Sequence, residues 1–286
     1  MRTHRSRRLL HPCATSAYSH KMKIDDVQRD AAREGIARWG ITGWATPAAW
    51  STLAAAHQYE IAFDHLNQAL GTATPKQVLD WGCGTGIMSY ALLRDGHEVW
   101  ATDLVVPPMG DFLDETAPGR FHYEHLTEPT RLPYPDQSMD VVLSMGTLEH
   151  VGESGGSDRA SLAEIHRVLR PGGRFVCCHL PKQGSYIEAG ARAIKKPAKR
   201  ILNRFVYAHP ILYDEATVHS LAAEAGFSVD RFDTYGVLPR NPLSGLPFRL
   251  GDRLWVVRAV DGLDHRLNRV LANHSQNIAW TGTRLS

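Results

Sequence analysis

Cysteine is scarce in this chain and never spaced for a metal. Its four cysteines, Cys13, Cys83, Cys177 and Cys178, include no C-x-x-C pair. That excludes a disulfide framework and a zinc knuckle, and it points to a reducing, cytoplasmic compartment. Long apolar runs are missing too: no stretch approaches the roughly 20 residues that span a bilayer. Neither charge sign dominates, because 32 Lys and Arg face 30 Asp and Glu, for a formal net charge of +2. A chain-wide polyanion binder is thereby excluded, and basic character has to be local. No segment repeats at a fixed period. What remains is ordinary globular material, 43% hydrophobic and 22% charged over 286 residues. This suffices for one α/β domain with extensions or for two small domains.

Acids are absent from two places. Residues 1–21 hold Arg2, Arg5, Arg7, Arg8 and Lys21 with no carboxylate. The stretch is similar in composition to an organelle presequence but has neither an amphipathic stripe nor a secretory apolar core. It reads as a basic tail, or as residues ahead of a true start at Met22, and 1–22 is set outside the fold. The second acid-free stretch lies between Glu188 and Asp214. There Ile194, Ala198, Ile201, Leu202, Phe205 and Val206 fall on one helical face, and Arg192, Lys195, Lys196, Lys199, Arg200 and Arg204 crowd the rest; Pro197 starts or kinks the helix. A basic amphipathic helix over 189–206 suits either an anionic membrane surface or a phosphorylated or lipid-linked ligand; equally, it can pack on the core with a solvated basic face.

The remaining pattern alternates. Residues 23–74 form a helical cap with aromatics Trp39, Trp44, Trp50 and Tyr59, broken at Gly43 and Pro47. Pro75 closes it, and Val78-Leu79 opens a buried strand. Helix Ile87–Arg94, strand Val99–Asp103, strand Asp140–Ser144 and a helix over Ser161–Leu169 follow. Pro171-Gly172-Gly173 stops that helix, and Arg174–His179 is the next strand. A helix near Asp214–Ala225, a strand Phe227–Phe232 and a last strand Ile278–Thr283 complete the order. Such alternation predicts a doubly wound, mostly parallel, seven-stranded Rossmann-like sheet over 75–286, with the basic insertion at 182–213.

The chemistry concentrates where the first strand ends. Asp80-Trp81-Gly82-Cys83-Gly84-Thr85-Gly86 is a glycine turn opening a helix, where free backbone amides can meet a ligand. The third glycine is one residue too early for the dinucleotide fingerprint. Asp80 would repel a pyrophosphate but suits a cationic ligand group. Asp103 ends the next strand 23 residues later, where a carboxylate can accept both hydroxyls of a ribose. A plain turn with surface acids is the alternative.

Val78–Gly86 resembles the first motif of class I S-adenosylmethionine (SAM)-dependent methyltransferases. Asp103 resembles that family's second-strand acid, and Leu132-Pro133-Tyr134-Pro135-Asp136-Gln137-Ser138-Met139-Asp140 resembles its segment entering strand four. Leu148-Glu149-His150-Val151, Arg167–Gly173 and Ala225-Gly226-Phe227 resemble the elements that follow, in order. The resemblance implies SAM as cofactor. Asp80, Gly82, Cys83, Gly84, Thr85 and Gly86 would contact its methionine part, and Asp103 with Leu104 its ribose and adenine. Met145 matches a cofactor-touching position of quinone-precursor O-methyltransferases. For adenine, either Glu128 supplies an acid, or Leu126-Thr127 offers backbone and apolar surface.

Methyl transfer is an in-line displacement in which positioning does most of the work. A hydroxyl acceptor also needs a base, and His150, just past strand four, is the candidate; otherwise it only hydrogen-bonds its own loop. Some relatives bind a divalent metal through two glutamates and this histidine. Gly146 stands at the first glutamate's position, so no metal is expected. Ser144-Met145-Gly146-Thr147 lacks the (N/D)PP(Y/F) pattern of enzymes that methylate DNA bases or protein glutamine, so nucleic acid is not the expected acceptor. Trp44, Trp50 and Tyr59 would either lid the sulfonium or lie in the core. The expected activity is methyl transfer to a hydroxyl of a small-molecule or lipid-linked acceptor. The competing readings are a nicotinamide-dependent oxidoreductase and a SAM-binding interaction protein without activity.

Overall fold

A computed structural model describes residues 22–28, 49–72, 75–107, 110–195, 209–245 and 247–286. The basic tail of 1–21, the aromatics Trp39 and Trp44 with Gly43 and Pro47, and most of the basic helix (196–208, with Pro197) lie outside them. Helices α1 (Ile24–Val27), α2 (Leu53–Ala56) and α3 (Glu60–Leu70) precede the sheet. Then come β1 (Gln77–Trp81), α4 (Ile87–Arg94), β2 (Glu98–Asp103), α5 (Gly110–Thr116), β3 (Phe121–His125) and β4 (Met139–Met145). The second half runs α6 (Asp158–Val168), β5 (Leu169–Pro181), α7 (Tyr186–Lys195), α8 (Glu215–Glu224), β6 (Phe227–Tyr235), α9 (Leu254–Leu271) and β7 (Asn277–Arg284).

The seven strands lie in the order β3-β2-β1-β4-β5-β7-β6. All neighbours are parallel except β7, which runs antiparallel to both β5 and β6. The period-2 alternation of side chains explains the two-faced core. Val78, Val141, Leu143, Val176 and Cys178 face one layer, with Leu66, Leu92 and Leu113 from α3, α4 and α5. Leu79, Val142, Phe175, Cys177 and Trp280 face the other, with Leu162, Ile165 and Leu221 from α6 and α8. Central strands covered on both faces have no polar side to show, hence their unbroken apolar runs.

Several boundaries differ from those read in the sequence. The Ser157 hydroxyl accepts from the Ala160 amide at 3.2 Å, so α6 begins at Asp158 rather than Ser161. Past Val168 the chain enters β5 at once, because Leu169 pairs with Met139 before a register shift brings Arg174 opposite Val141. The edge strand β3 and the helix α9 have no counterpart in the reading above. Met22, placed outside the fold there, is buried and exchanges two hydrogen bonds with the Asn67 side chain, at 3.0 and 3.1 Å. The cap is joined to the last strands by His65 of α3, fully buried, which bonds Thr281 Oγ1 at 2.7 Å and Asp233 Oδ2 at 2.9 Å.

Candidate active site

The glycine turn folds back over β2. The amides of Gly82 and Cys83 both donate to the Thr102 carbonyl, at 2.8 and 3.0 Å. Gly82 has φ +73°, and a Cβ there would sit 2.3 Å from the Thr147 side chain. Only glycine lets Thr147 cross the turn and donate to the Trp81 carbonyl at 3.2 Å, which ties the end of β1 to the segment after β4. Asp103, at the end of β2, accepts from Gly84 N at 2.8 Å and Val105 N at 3.1 Å. Each of its oxygens keeps acceptor capacity for a diol.

Asp80 lies beneath the turn, buried, and accepts from Ser89 Oγ at 2.6 Å. Burial pushes its carboxyl up to about 6; the Ser89 hydrogen bond opposes this and the charge of Asp103 adds to it. Burial likewise raises the Cys83 thiol, with Asp80 and Asp103 adding to the shift, so Cys83 is a packing residue of the loop and not a nucleophile.

Above the turn, at the carboxyl ends of β1, β2 and β4, opens a cavity of about 300 Å³. Its wall brings together seven residues read from the sequence: Gly82, Gly84, Asp103, Leu104, Leu126, Met145 and His150. Thr85 and Gly86 lie off that wall, in the turn into α4. Thr127 and Glu128 are exposed and line a separate recess with His125, Arg131 and Pro133. Of the two adenine options, then, Leu126 is the one facing the cavity. Trp81, Pro129, Gly146, Thr147, Val151 and Ser154 complete the wall, and none of them is among the site residues that the sequence pointed to. Only Thr147 had a signal, standing two residues after Met145, where β4 ends.

His150 sits on the short 3-10 turn Leu148–Ser154, half-buried at the cavity wall. Its Nδ1 lies 3.6 Å from Glu153 Oε1 and its Nε2 3.9 Å from Glu149 Oε1. Burial lowers its pKa, the neighbouring His209 lowers it further, and Glu153 opposes both. His209 was not foreseen. Its Nδ1 bonds Glu188 Oε1 at 2.6 Å, and its ring centre lies 5.5 Å from that of His150.

Glu149 is buried, its Oε2 has no hydrogen-bond partner, and burial pushes its carboxyl up to about 7. Glu149, His150 and His209 each present one donor atom, all within 4.8 Å of one another, a set that could hold a divalent cation. Residue 146 adds nothing to it: Gly146 has φ +67°, a conformation that disfavours any side chain.

The aromatics of the cap that fall within the described residues do not reach the cavity. Trp50 is 2% exposed and stacks on Tyr59, with ring centres 4.9 Å apart. Tyr59 in turn meets the edge of His179 at 4.5 Å. Of the two readings of Trp50 and Tyr59, packing in the core is the one observed.

Residues 79–177 match the family model of the methyltransferase domain. A ubiquinone biosynthesis O-methyltransferase of Psychrobacter arcticus is 29% identical over 213 residues, 70% of this chain and 74% of that protein. A demethylmenaquinone methyltransferase of Clavibacter sepedonicus is 31% identical over 177 residues, 56% of this chain and 69% of that protein. The chain spans between 51% and 74% of the length of the first curated relatives it matches. Among solved structures, an S-adenosylmethionine dependent methyltransferase from Mesorhizobium loti shares the fold with a TM-score of 0.53 at 18% identity, over 85% of this chain and 100% of that one.

Proposed function

This chain belongs to the class I SAM-dependent methyltransferases, and from that premise we propose that it moves the SAM methyl group to a hydroxyl of a small-molecule or lipid-linked acceptor. The observation that carries the proposal is the single cavity that joins Gly82, Gly84 and Asp103 on one side to Met145 and His150 on the other. When bound, SAM supplies an electrophilic methyl on a sulfonium centre. The chain's own part is to hold donor and acceptor in line and to take up the acceptor's proton.

Asp103 would accept the ribose hydroxyls, already aligned by the Gly84 and Val105 amides. Leu126 and Leu104 would cover the adenine, with Glu128 outside. Asp80, beneath the turn, would draw the cationic amino group toward the glycine loop. His150 would accept the hydroxyl proton at one of its ring nitrogens. Nucleic acid is not the acceptor in this reading: the segment after β4 has no motif for flipped bases, and the cavity suits a small ligand. Membership of the family sets the nicotinamide-dependent reading aside.

Transfer of tritium from methyl-labelled SAM into small hydroxylated aromatics tests the proposal against an inactive SAM-binding protein. Labelled product from the wild type and none from His150→Gln is expected, with equal SAM affinity in both. SAM binding without transfer to any acceptor class would leave an interaction protein.

A further inference from the structure

Helix α9 carries its charges on opposite sides by sign. Its two acids turn inward. Asp261 accepts from Arg240 at 2.7 Å and bonds His57 at 2.9 Å; Asp264 accepts from the Leu238 amide at 2.7 Å. Val256 and Val257 face the same way, against Leu53 and Ala54 of α2. The outward face is different in kind. At steps of about 100° per residue, Trp255, Ala259, Leu263, Arg266 and Val270 fall within one quarter of the helix circumference. Arg258 and Arg269 border that stripe along one side. Trp255 is 66% exposed, Leu263 50% and Val270 82%. Large apolar side chains on water, with arginines on the same helix beside them, form an exposed apolar stripe.

We propose that this face of α9 rests on an anionic lipid surface. The helix is not a membrane span: no helix among the described residues is long and apolar enough to cross a bilayer. It has instead the make-up of an interfacial helix, with a tryptophan and aliphatics to enter the headgroup region and arginines to pair with lipid phosphates. A second copy of the chain fits less well, because a two-fold contact through this face would set arginines against arginines.

Topology places the surface usefully. β6 runs parallel to β1–β5 and β7 antiparallel to it, so the connection holding α9 leaves and re-enters the sheet at its carboxyl edge. The cavity opens at that same edge. A chain lying on lipid by α9 would therefore sit on the bilayer by the edge of the sheet that carries its site.

Sedimentation of the full chain with vesicles tests this, using phosphatidylglycerol mixed into phosphatidylcholine against pure phosphatidylcholine. Wild-type protein should pellet with the anionic vesicles and stay in the supernatant with the neutral ones. The double variant Trp255→Ser, Val270→Ser should bind the anionic vesicles about tenfold more weakly. Arg258→Glu with Arg266→Glu should lose about thirtyfold. Both should keep wild-type circular dichroism and SAM affinity, so a loss of lipid binding is not a loss of fold. Three results would overturn the proposal. One is wild-type protein in the supernatant with both lipids. Another is undiminished pelleting of both variants, which would move the contact to another basic segment. The third is a concentration-dependent dimer abolished by the apolar variant, which would make a second copy the occupant.

Discussion

The two sides of the cavity are built differently. The donor side is local: Asp80 to Gly86 and Asp103 come from two adjacent strand ends, and backbone amides hold them in place. The wall that the proposal gives to the acceptor is assembled from afar. His150 comes from the turn after β4, and its neighbour His209 from within the insertion at 182–213, fixed by Glu188 of α7. A site made of strand ends repeats with the sheet. A site made of insertions has to be specified residue by residue.

Each side can be broken separately, and the largest effect belongs to the acceptor side. His150→Ala should lower kcat by about 10²–10⁴-fold with little change in SAM affinity, as expected for loss of a general base. In the wild type, kcat should rise with pH and level off below the ordinary histidine value, since His150 is shifted down. A pH-independent rate would remove His150 from the proton path.

The donor side comes next. Asp103→Ala should weaken SAM binding by about a hundredfold, measured by calorimetry, for two lost hydrogen bonds to a charged group. Gly82→Ala should cost about 1–3 kcal/mol of stability in denaturant melts, because the new Cβ meets Thr147 and the backbone is left-handed. A variant with wild-type stability would mean that Thr147 moves freely.

Smaller effects follow pH and metal. SAM affinity should strengthen as pH rises through about 6, where the Asp80 carboxyl ionises. The ligand-free chain should show the opposite trend. Between its ordinary value of 3.8 and about 6, native Asp80 keeps a proton that the unfolded chain has released, so stability falls as pH rises across that window. A flat affinity profile would mean that Asp80 does not meet the cofactor's cation. EDTA should leave kcat unchanged, since Gly146 supplies no ligand and three donors are few for a hard divalent ion. A Tm raised by Mn²⁺ or Zn²⁺ in the wild type but not in Glu149→Gln would assign Glu149, His150 and His209 to a metal.

Legibility followed the same division. The parallel core could be read because Val141-Val142-Leu143 must be apolar on both faces, and the loop because its glycines and acids sit at fixed intervals. β3 escaped because Phe121-His-Tyr-Glu-His is an edge strand with polar side chains, where the sheet asks little of the sequence. α9 escaped because Trp255, Leu263 and Val270 stand exposed while Asp261 and Asp264 turn inward, the reverse of the usual assignment of apolar and charged residues. Glu188 and His209 stand 21 residues apart, and nothing local marks them as partners. Thr127 and Glu128 show the limit of register: Leu126 turns inward and the next two residues point out.

The strand order has a consequence for synthesis. β6 is made before β7, yet in the sheet it lies outside it, with β7 between β6 and β5. During translation β1 to β5 can pair as they emerge, while β6 has to wait for the strand that follows it. His65 of the cap waits as well, since its ring bonds Asp233 on β6 and Thr281 on β7. A nascent chain would therefore possess its glycine turn well before it possessed a complete sheet, and the step that adds β7 and β6 would also give the buried His65 its two partners.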